Sequence, residues 1–413
     1  RARRYRAIVS SESVRERRDR ARDARDGTAH DDSIRRRVTR ARMHRTKTSL
    51  AGAGAGAEAE AMANELPMTV IDFVDGRARF GYAAEGRAVG PTLVRSGTVR
   101  EKTSTDGREV ASVERSRVRC VDAVECVVRD SAYDGLGWQL GMEGTVVACE
   151  ASGATAATRE RMTRMFFEEF NVAGLAFVDS AVCAVYASGR VSGVSVDVAE
   201  QGTDCACVTD GSTATATARR IEVGGRAMDE ALMRCVKKKQ CIDLDADVAS
   251  VIRRELGKCA STREEYEALA RGCPTVECEQ ETFKMPDGSV LKLTNELYEC
   301  GEALMPIVDE ICESVQKLAP ELRRLALDNV FVHGVASQVS GFDTRLLHEL
   351  MSSLPPSMAP VMTKVPEYMP PTTWSHAPWT GAALLAKVIF SSNQHISKTD
   401  YNENGPAVSN RGR

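Results

Sequence analysis

No apolar run in this chain is long enough to cross a bilayer, which takes about 20 residues. The best stretch, GLAFVDSAVCAVYASG, is broken by Asp179 and ends in small polar residues, so it reads as core. Zinc spacing is missing too: the thirteen cysteines form no CxxC pair, and His333, His348, His376 and His395 stand far from them in sequence. Scattered, core-like thiols of odd number suit a reducing compartment, cytosol or nucleus, better than a secreted setting. The main body also lacks an excess of cations. Residues 1–50 hold 17 of the 55 Lys and Arg against 7 of the 58 Asp and Glu, which leaves 38 basic and 51 acidic residues from position 51 onward. DNA binding through the folded body is therefore not expected, because phosphate neutralisation needs clustered Lys and Arg. Lys237–Lys239 is too short to reverse that balance and reads as a solvated loop.

What is present is ordinary globular composition, 43% hydrophobic and 27% charged, over 413 residues. That length exceeds what one hydrophobic core usually serves, so two lobes are expected. Residues 1–66 stand apart: an arginine-rich stretch without apolar periodicity leads into AGAGAGAEAEAMA, a composition expected to be disordered. It is either an arm for nuclear import or for phosphate polymers, or a stretch missing from the mature protein, since the chain begins with Arg and Met62 or Met68 offers a natural start.

Folded patterning begins at Pro67. TVIDFV and RARFGYA read as paired strands with Asp72 at the end of the first, and the polar stretch RSGTVREKTSTDGREVASVERSR reads as loop or weak strand. GTVVACEA is another strand. In ATRERMTRMFFEEFN, residues Met162, Met165, Phe166 and Phe170 share one helix face, a core stripe. The motif then recurs: Asp197 ends an apolar strand, and a second strand follows at Asp204–Val208. DNVFVHG gives a strand ending at Gly334 before a helix at Phe342–Leu350, and amphipathic helices are expected near Ala227–Val236, Asp245–Gly257 and Asn295–Leu318. Two strand-Asp-turn-strand units point to a duplicated α/β protein with a cleft. Taken alone, a strand-end aspartate is more often a cap or turn residue than a ligand.

From Met68 onward the chain resembles the actin superfamily, most specifically in RERMTRMFFEEFNVAGLAFVDSAVCAVYASGRVSG, MPDGSVLKLTNELYECGEALMP and ISKTDYNENGP. YDGLGWQLGMEG, VPEYMP and LLAKVIFSSNQHISKTDY are most similar to the seventh class of plant nuclear actin-related proteins. The resemblance implies an α/β fold of two lobes, each a five-stranded mixed sheet with flanking helices, around a nucleotide cleft. It divides the chain into a tail at 1–66, a first lobe at 67–190 with a shortened second subdomain, a second lobe at 191–370, and a segment at 371–413 that returns to the first lobe.

The same resemblance implies vestigial nucleotide positions at Asp72, Gly76, Arg79, Asp197, Gly202, Gly225, Arg226 and Gly334. Val74 and Asp75 replace the glycine and serine of the first phosphate turn, and a carboxylate 4 Å from a phosphate charge costs about 4 kcal/mol at an effective dielectric of ~20. Val198, Ala199 and Gln201 add side chains to the second turn, Val335 and Ala336 to the third, and Ala227 stands where an aspartate is expected. Ser180 and Asp204 occupy the places of the water-positioning glutamine and histidine, so no catalytic residue is expected. No obligatory cofactor is implied; ATP with magnesium would be weakly held, with Asp72 and Asp197 as its metal-facing pair. EKTSTDGREVASVERS lacks the apolar tip that joins filament subunits. Tyr186 either lines a groove for amphipathic partner helices or is a half-buried core residue. The expected role is an interaction subunit of a nuclear SWI/SNF-type chromatin-remodelling complex, docked on a helix of the remodelling ATPase beside actin or another actin-related protein, with no membrane contact. The alternative is a slowly hydrolysing, ATP-binding cytoskeletal protein, present in cytoplasm as well as nucleus.

Overall fold

The computed structural model describes residues 68–74, 77–83, 90–96, 98–100, 109–111, 113–114, 117–118, 120–272, 278–367 and 369–411. The tail and two residues of the first turn, Asp75 and Gly76, lie outside these.

The described chain opens with β1 (Met68–Val74), β2 (Arg77–Tyr82) and β3 (Leu93–Ser96). Two short hairpins follow, Thr98–Arg100 with Glu109–Ala111 and Val113–Glu114 with Arg117–Val118. Next come α1 (Val121–Arg129), β4 (Thr145–Glu150), α2 (Ala156–Arg164), β5 (Gly174–Asp179) and α3 (Ser180–Ala187). The second lobe contributes β6 (Gly193–Val198), β7 (Thr203–Thr209), β8 (Ser212–Thr213), β9 (Arg219–Ile221), α4 (Gly225–Gln240), α5 (Ala246–Leu256), α6 (Ile307–Gln316), β10 (Val330–His333) and α7 (Phe342–Ser353). The chain then crosses back through α8 (Ala377–Ser391), β11 (Ile396–Ser397) and α9 (Lys398–Asn404).

These strands make two separate mixed sheets. The first runs β11-β5-β4-β1-β2-β3, so the five strands of the N-terminal half gain a sixth from the returning C-terminal segment. The second is five-stranded, ordered β8-β7-β6-β10, with β9 also paired to β7. Each sheet has its own apolar core. In the first lobe, Phe166 and Phe170 are fully buried and Met162 and Met165 nearly so, packed against Ile71, Phe80 and Val124. In the second, Met228, Leu232, Ile252, Ile311 and Phe342 fill the corresponding space.

Two helical expectations need correction. Asn295–Leu318 is not one helix: short turns at Asn295–Tyr298 and Glu299–Glu302 are separated from α6 by Pro306, which lacks an N–H and caps the next helix instead. Lys237–Lys239 is no loop; the three side chains form the last turn of α4, where cations complement the carbonyl end of the helix dipole, and Lys237 pairs with Asp243 at 2.7 Å.

The lobes meet at α3, which is largely apolar and buries Ala181, Cys183, Ala184, Val185 and Ala187. Ala181 and Val185 pack on Ala206 and Val208 of the second sheet, Ala184 and Ala187 on Phe331 and Ala377, and Cys183 on Val70 and Trp379. Small side chains let α8 approach closely, and Gly381 sits directly over the Cys183 carbonyl. A Cβ there would stand well inside contact distance of that backbone oxygen. Gly381→Ala is accordingly expected to cost about 3 kcal/mol or more, measured as a drop in the urea midpoint at unchanged slope; a loss below 1 kcal/mol would mean the two helices slide apart easily.

Candidate functional site

The two hairpins are register equivalents. On β1 and β2, Asp72 lies opposite Arg79, and across the parallel β4 it lies beside Cys149. On β6 and β7, Asp197 lies opposite Asp204, and across the parallel β10 it lies beside His333. Side chains directly opposite on an antiparallel pair share a face. The second sheet therefore carries a row His333, Asp197, Asp204, Arg220, and the first a shorter row Cys149, Asp72, Arg79. Asp72, Asp197, Asp204, Ser180, Ser195 and His333 all line one cavity between the lobes.

That cavity measures about 70 Å³. Sites for cofactors and similar ligands run roughly 300–1,000 Å³, so the space between the aspartates suits water and not a nucleotide.

Internal bonds account for the closure. Arg79 donates from Nη1 to Asp72 Oδ2 at 2.7 Å and from Nη2 to the Ser375 carbonyl at 2.8 Å, and both side chains are almost wholly buried. Burial pushes the Asp72 carboxyl up from its usual range, and the charge and hydrogen bond of Arg79 pull it back. Asp72 Oδ1 has no hydrogen-bond partner. Arg79 thus spends its planar fork on the protein itself.

The second and third turns are tied down in the same way. Ala199 N–H donates to Gly202 O at 2.9 Å, Gly225 N–H to Ala199 O at 3.0 Å, Arg226 N–H to Glu200 O at 2.8 Å, and Gly334 N–H to Trp374 O at 2.8 Å. These donors face carbonyls, leaving none of the four for phosphate. Gly334 adopts φ +103°, and a Cβ there would collide with Asp197 Oδ1, so the glycine is kept for the protein's own carboxylate. The N-terminus of α4, by its dipole an anion site, is met by Glu200, whose carboxylate would likewise collide with a Cβ at Gly225. Arg253 fixes Glu200 at 2.8 Å and Asp229 at 2.7 Å. Gly202 is hemmed in by the Ile221 carbonyl, 2.6 Å from where its Cβ would be. The side chain of Arg226 is exposed.

The catalytic positions are occupied elsewhere as well. Ser180 donates its hydroxyl to Glu150 O at 2.9 Å, and Asp204 is ion-paired with Arg220. Sequence reasoning did not single out Ser195, His333, Glu200 or Arg220. Ser195 Oγ lies 2.9 Å from His333 Nε2, and His333 Nδ1 lies 3.7 Å from Asp197 Oδ1. Serine, histidine and aspartate in this order suggest nucleophilic chemistry, but 3.7 Å is no hydrogen bond. Burial, aided by the charge of Arg79, also lowers His333 to about 3, and a general base works best near the operating pH. The trio is structural. Among the described residues no group of three or more His, Cys, Asp or Glu side chains could hold a metal ion. Among the described residues, this arrangement leaves little room and few free N–H donors for a nucleotide with its cation.

A larger concavity of about 580 Å³ lies on the other side of α3, lined by Phe177, Val182, Tyr186, Gly211, Leu385 and Ile389. Tyr186 is half-buried and lines this concavity.

The family model for actin matches residues 63–251 and 245–412. The chain is similar to Actin-related protein 7 of Arabidopsis thaliana, 32% identical over 312 residues, spanning 72% of this chain and 84% of that protein. It is equally similar, at 32% over 310 residues with the same coverage, to Actin-related protein 7 of Oryza sativa, in both the indica and japonica subspecies.

Arg79→Met strands a buried carboxylate and is expected to cost about 3–5 kcal/mol, whereas the Asp72→Asn/Arg79→Met pair recovers most of it; additive losses in a denaturation cycle would show that the two side chains do not depend on each other. His333 and His376 titrate at about 3 and about 4 because burial, then the charge of Arg79, disfavours their charged forms. In the unfolded chain they would titrate near 6.5. Unfolding therefore takes up protons, so stability is complete above about pH 7.5 and declines as pH falls through 6.5. At pH 5, His333→Asn should reduce proton uptake on unfolding by about one, read from the pH slope of the unfolding free energy; an unchanged slope would place that imidazole in water.

Proposed function

Because this chain is an actin-related protein, a member of the actin family, we propose that it acts as a non-catalytic interaction subunit of a nuclear, SWI/SNF-type chromatin-remodelling complex. The observation that carries this reading is the cleft: an Asp72–Arg79 ion pair, a Glu200 carboxylate at the start of α4 and self-bonded backbone donors stand where a nucleotide would need room and N–H groups. A fold of this size without a ligand site in its cleft is suited to work through its surface. The Tyr186 groove supplies such a surface, with Leu385 and Ile389 of α8 along its wall and Leu384 and Val388 exposed on the same helix. An amphipathic helix burying anchors at i, i+3, i+4 and i+7 is the partner such a groove accepts.

In this reading the partner is a helical segment of the remodelling ATPase, with actin or another actin-related protein alongside. The acidic body, 51 Asp and Glu against 38 Lys and Arg from residue 51 onward, leaves DNA contact to other subunits.

Affinity purification from nuclear extract tests the proposal. The chain should bring down a remodelling ATPase, and Leu385→Asp, which places a charge in the groove, should lose it at least tenfold while keeping its circular dichroism. A parallel titration with a fluorescent ATP analogue in magnesium should show no saturation up to about 1 mM. Micromolar binding with turnover would instead favour the cytoskeletal ATPase reading.

A further inference from the structure

Beside the cleft, and separated from it by Phe73 and Ala151, which line both, the first lobe contains a second cavity of about 180 Å³. Its floor is Phe73, Ala148, Cys149 and Met162, each no more than 5% exposed, and Phe177 forms one wall. Its mouth lies at Gly153–Thr155, where Gly153 and Thr155 are exposed.

The polar groups around it have partners. Arg159 Nε donates to Glu150 Oε2 at 3.1 Å, and Nη2 pairs with Oε1 of the same carboxylate. The hydroxyls of Thr155 and Thr158 bond each other at 2.9 Å. Among the described residues, none of the buried side-chain nitrogen or oxygen atoms without a hydrogen-bond partner lines this cavity. The contrast with the cleft is direct, since Asp72 Oδ1 and His333 Nδ1 stand there without partners.

An internal water needs two to four polar partners, and an apolar void of about 150 Å³ stays dry and takes up benzene or xenon. The larger void here offers two aromatic rings and a thioether on its walls and no unmatched charge. We propose that it is a binding site for a small uncharged apolar molecule, a single aromatic ring or a branched hydrocarbon of similar size, entering past Gly153–Thr155. A charged ligand would meet only a carboxylate and a guanidinium that already neutralise each other, and burying it unpaired is unfavourable. Burial also pushes the Cys149 thiol up, which keeps the floor neutral. The assignment does not rest on the proposed function, although Gly153 and Phe177 also line the Tyr186 groove.

The test titrates the full chain with toluene, indole and, as a charged comparison, benzoate, following the thermal midpoint and saturation transfer from the methyl groups of Met162 and Ala148. Toluene or indole should raise the midpoint saturably and benzoate should not. Ala154→Leu, which fills the mouth, should weaken toluene binding at least tenfold. Absence of any saturable response in the unmodified chain, equal binding of benzoate, or undiminished binding by a folded Ala154→Leu protein would each overturn the assignment. The saturation-transfer arm needs no variant, so it decides the matter even if Ala154→Leu fails to fold.

Discussion

The buried pair of Asp72 and Arg79 is the interaction on which the rest of the cleft depends. Removing two charges from water is costly, and the cost is offset only when each group is held in good geometry with further hydrogen bonds. Arg79 meets that condition by reaching Asp72 with one arm and the Ser375 carbonyl with the other. It thereby fixes the first hairpin against the segment that returns from the second lobe. A compact ammonium could turn toward an outside anion; a guanidinium engaged on two sides has little freedom to do so. Burial, and after it the charge of Arg79, keeps the neighbouring imidazoles of His333 and His376 neutral.

The second lobe reaches the same end by different means. Its two aspartates face each other across β6 and β7, a like-charge arrangement that is unfavourable by itself. Arg220, next in the row on β9, pairs with Asp204. Glu200 is drawn the other way by Arg253 and occupies the positive end of α4. One lobe places a cation, Arg79, beside its strand-end aspartate, and the other an anion, Glu200, at the start of α4.

Much of the architecture was legible from periodicity and turn chemistry. The Met162, Met165, Phe166 and Phe170 stripe packs as spaced, and both strand-Asp-turn-strand units form antiparallel hairpins in matching register. The break at Pro306 was visible in the sequence as a proline within an apparent helix, and it prevailed over the apolar pattern. The site was less legible, because its deciding contacts are remote: Ser195 to His333 spans 138 residues, Arg79 to Ser375 spans 296, and Arg253 to Glu200 spans 53. No local pattern encodes such pairs. Asp75, on which the electrostatic argument for the first turn was built, lies outside the described residues, and the geometry around Arg79, Glu200 and the self-bonded turns gives an independent reason for the same closure.

The sixth strand of the first sheet has a bearing on how the protein is made. β11 pairs with Gly174 and Leu175 through residues 396 and 397, whereas β6 to β10 of the second sheet are complete by residue 333. A ribosome releases the chain from its N-terminus at roughly 5–20 residues per second, so the lobe that begins first is the one that must finish last. Its edge at β5 stays unpaired throughout synthesis of everything between, exposing a strand to stray partners during the interval when a nascent chain is least able to protect itself.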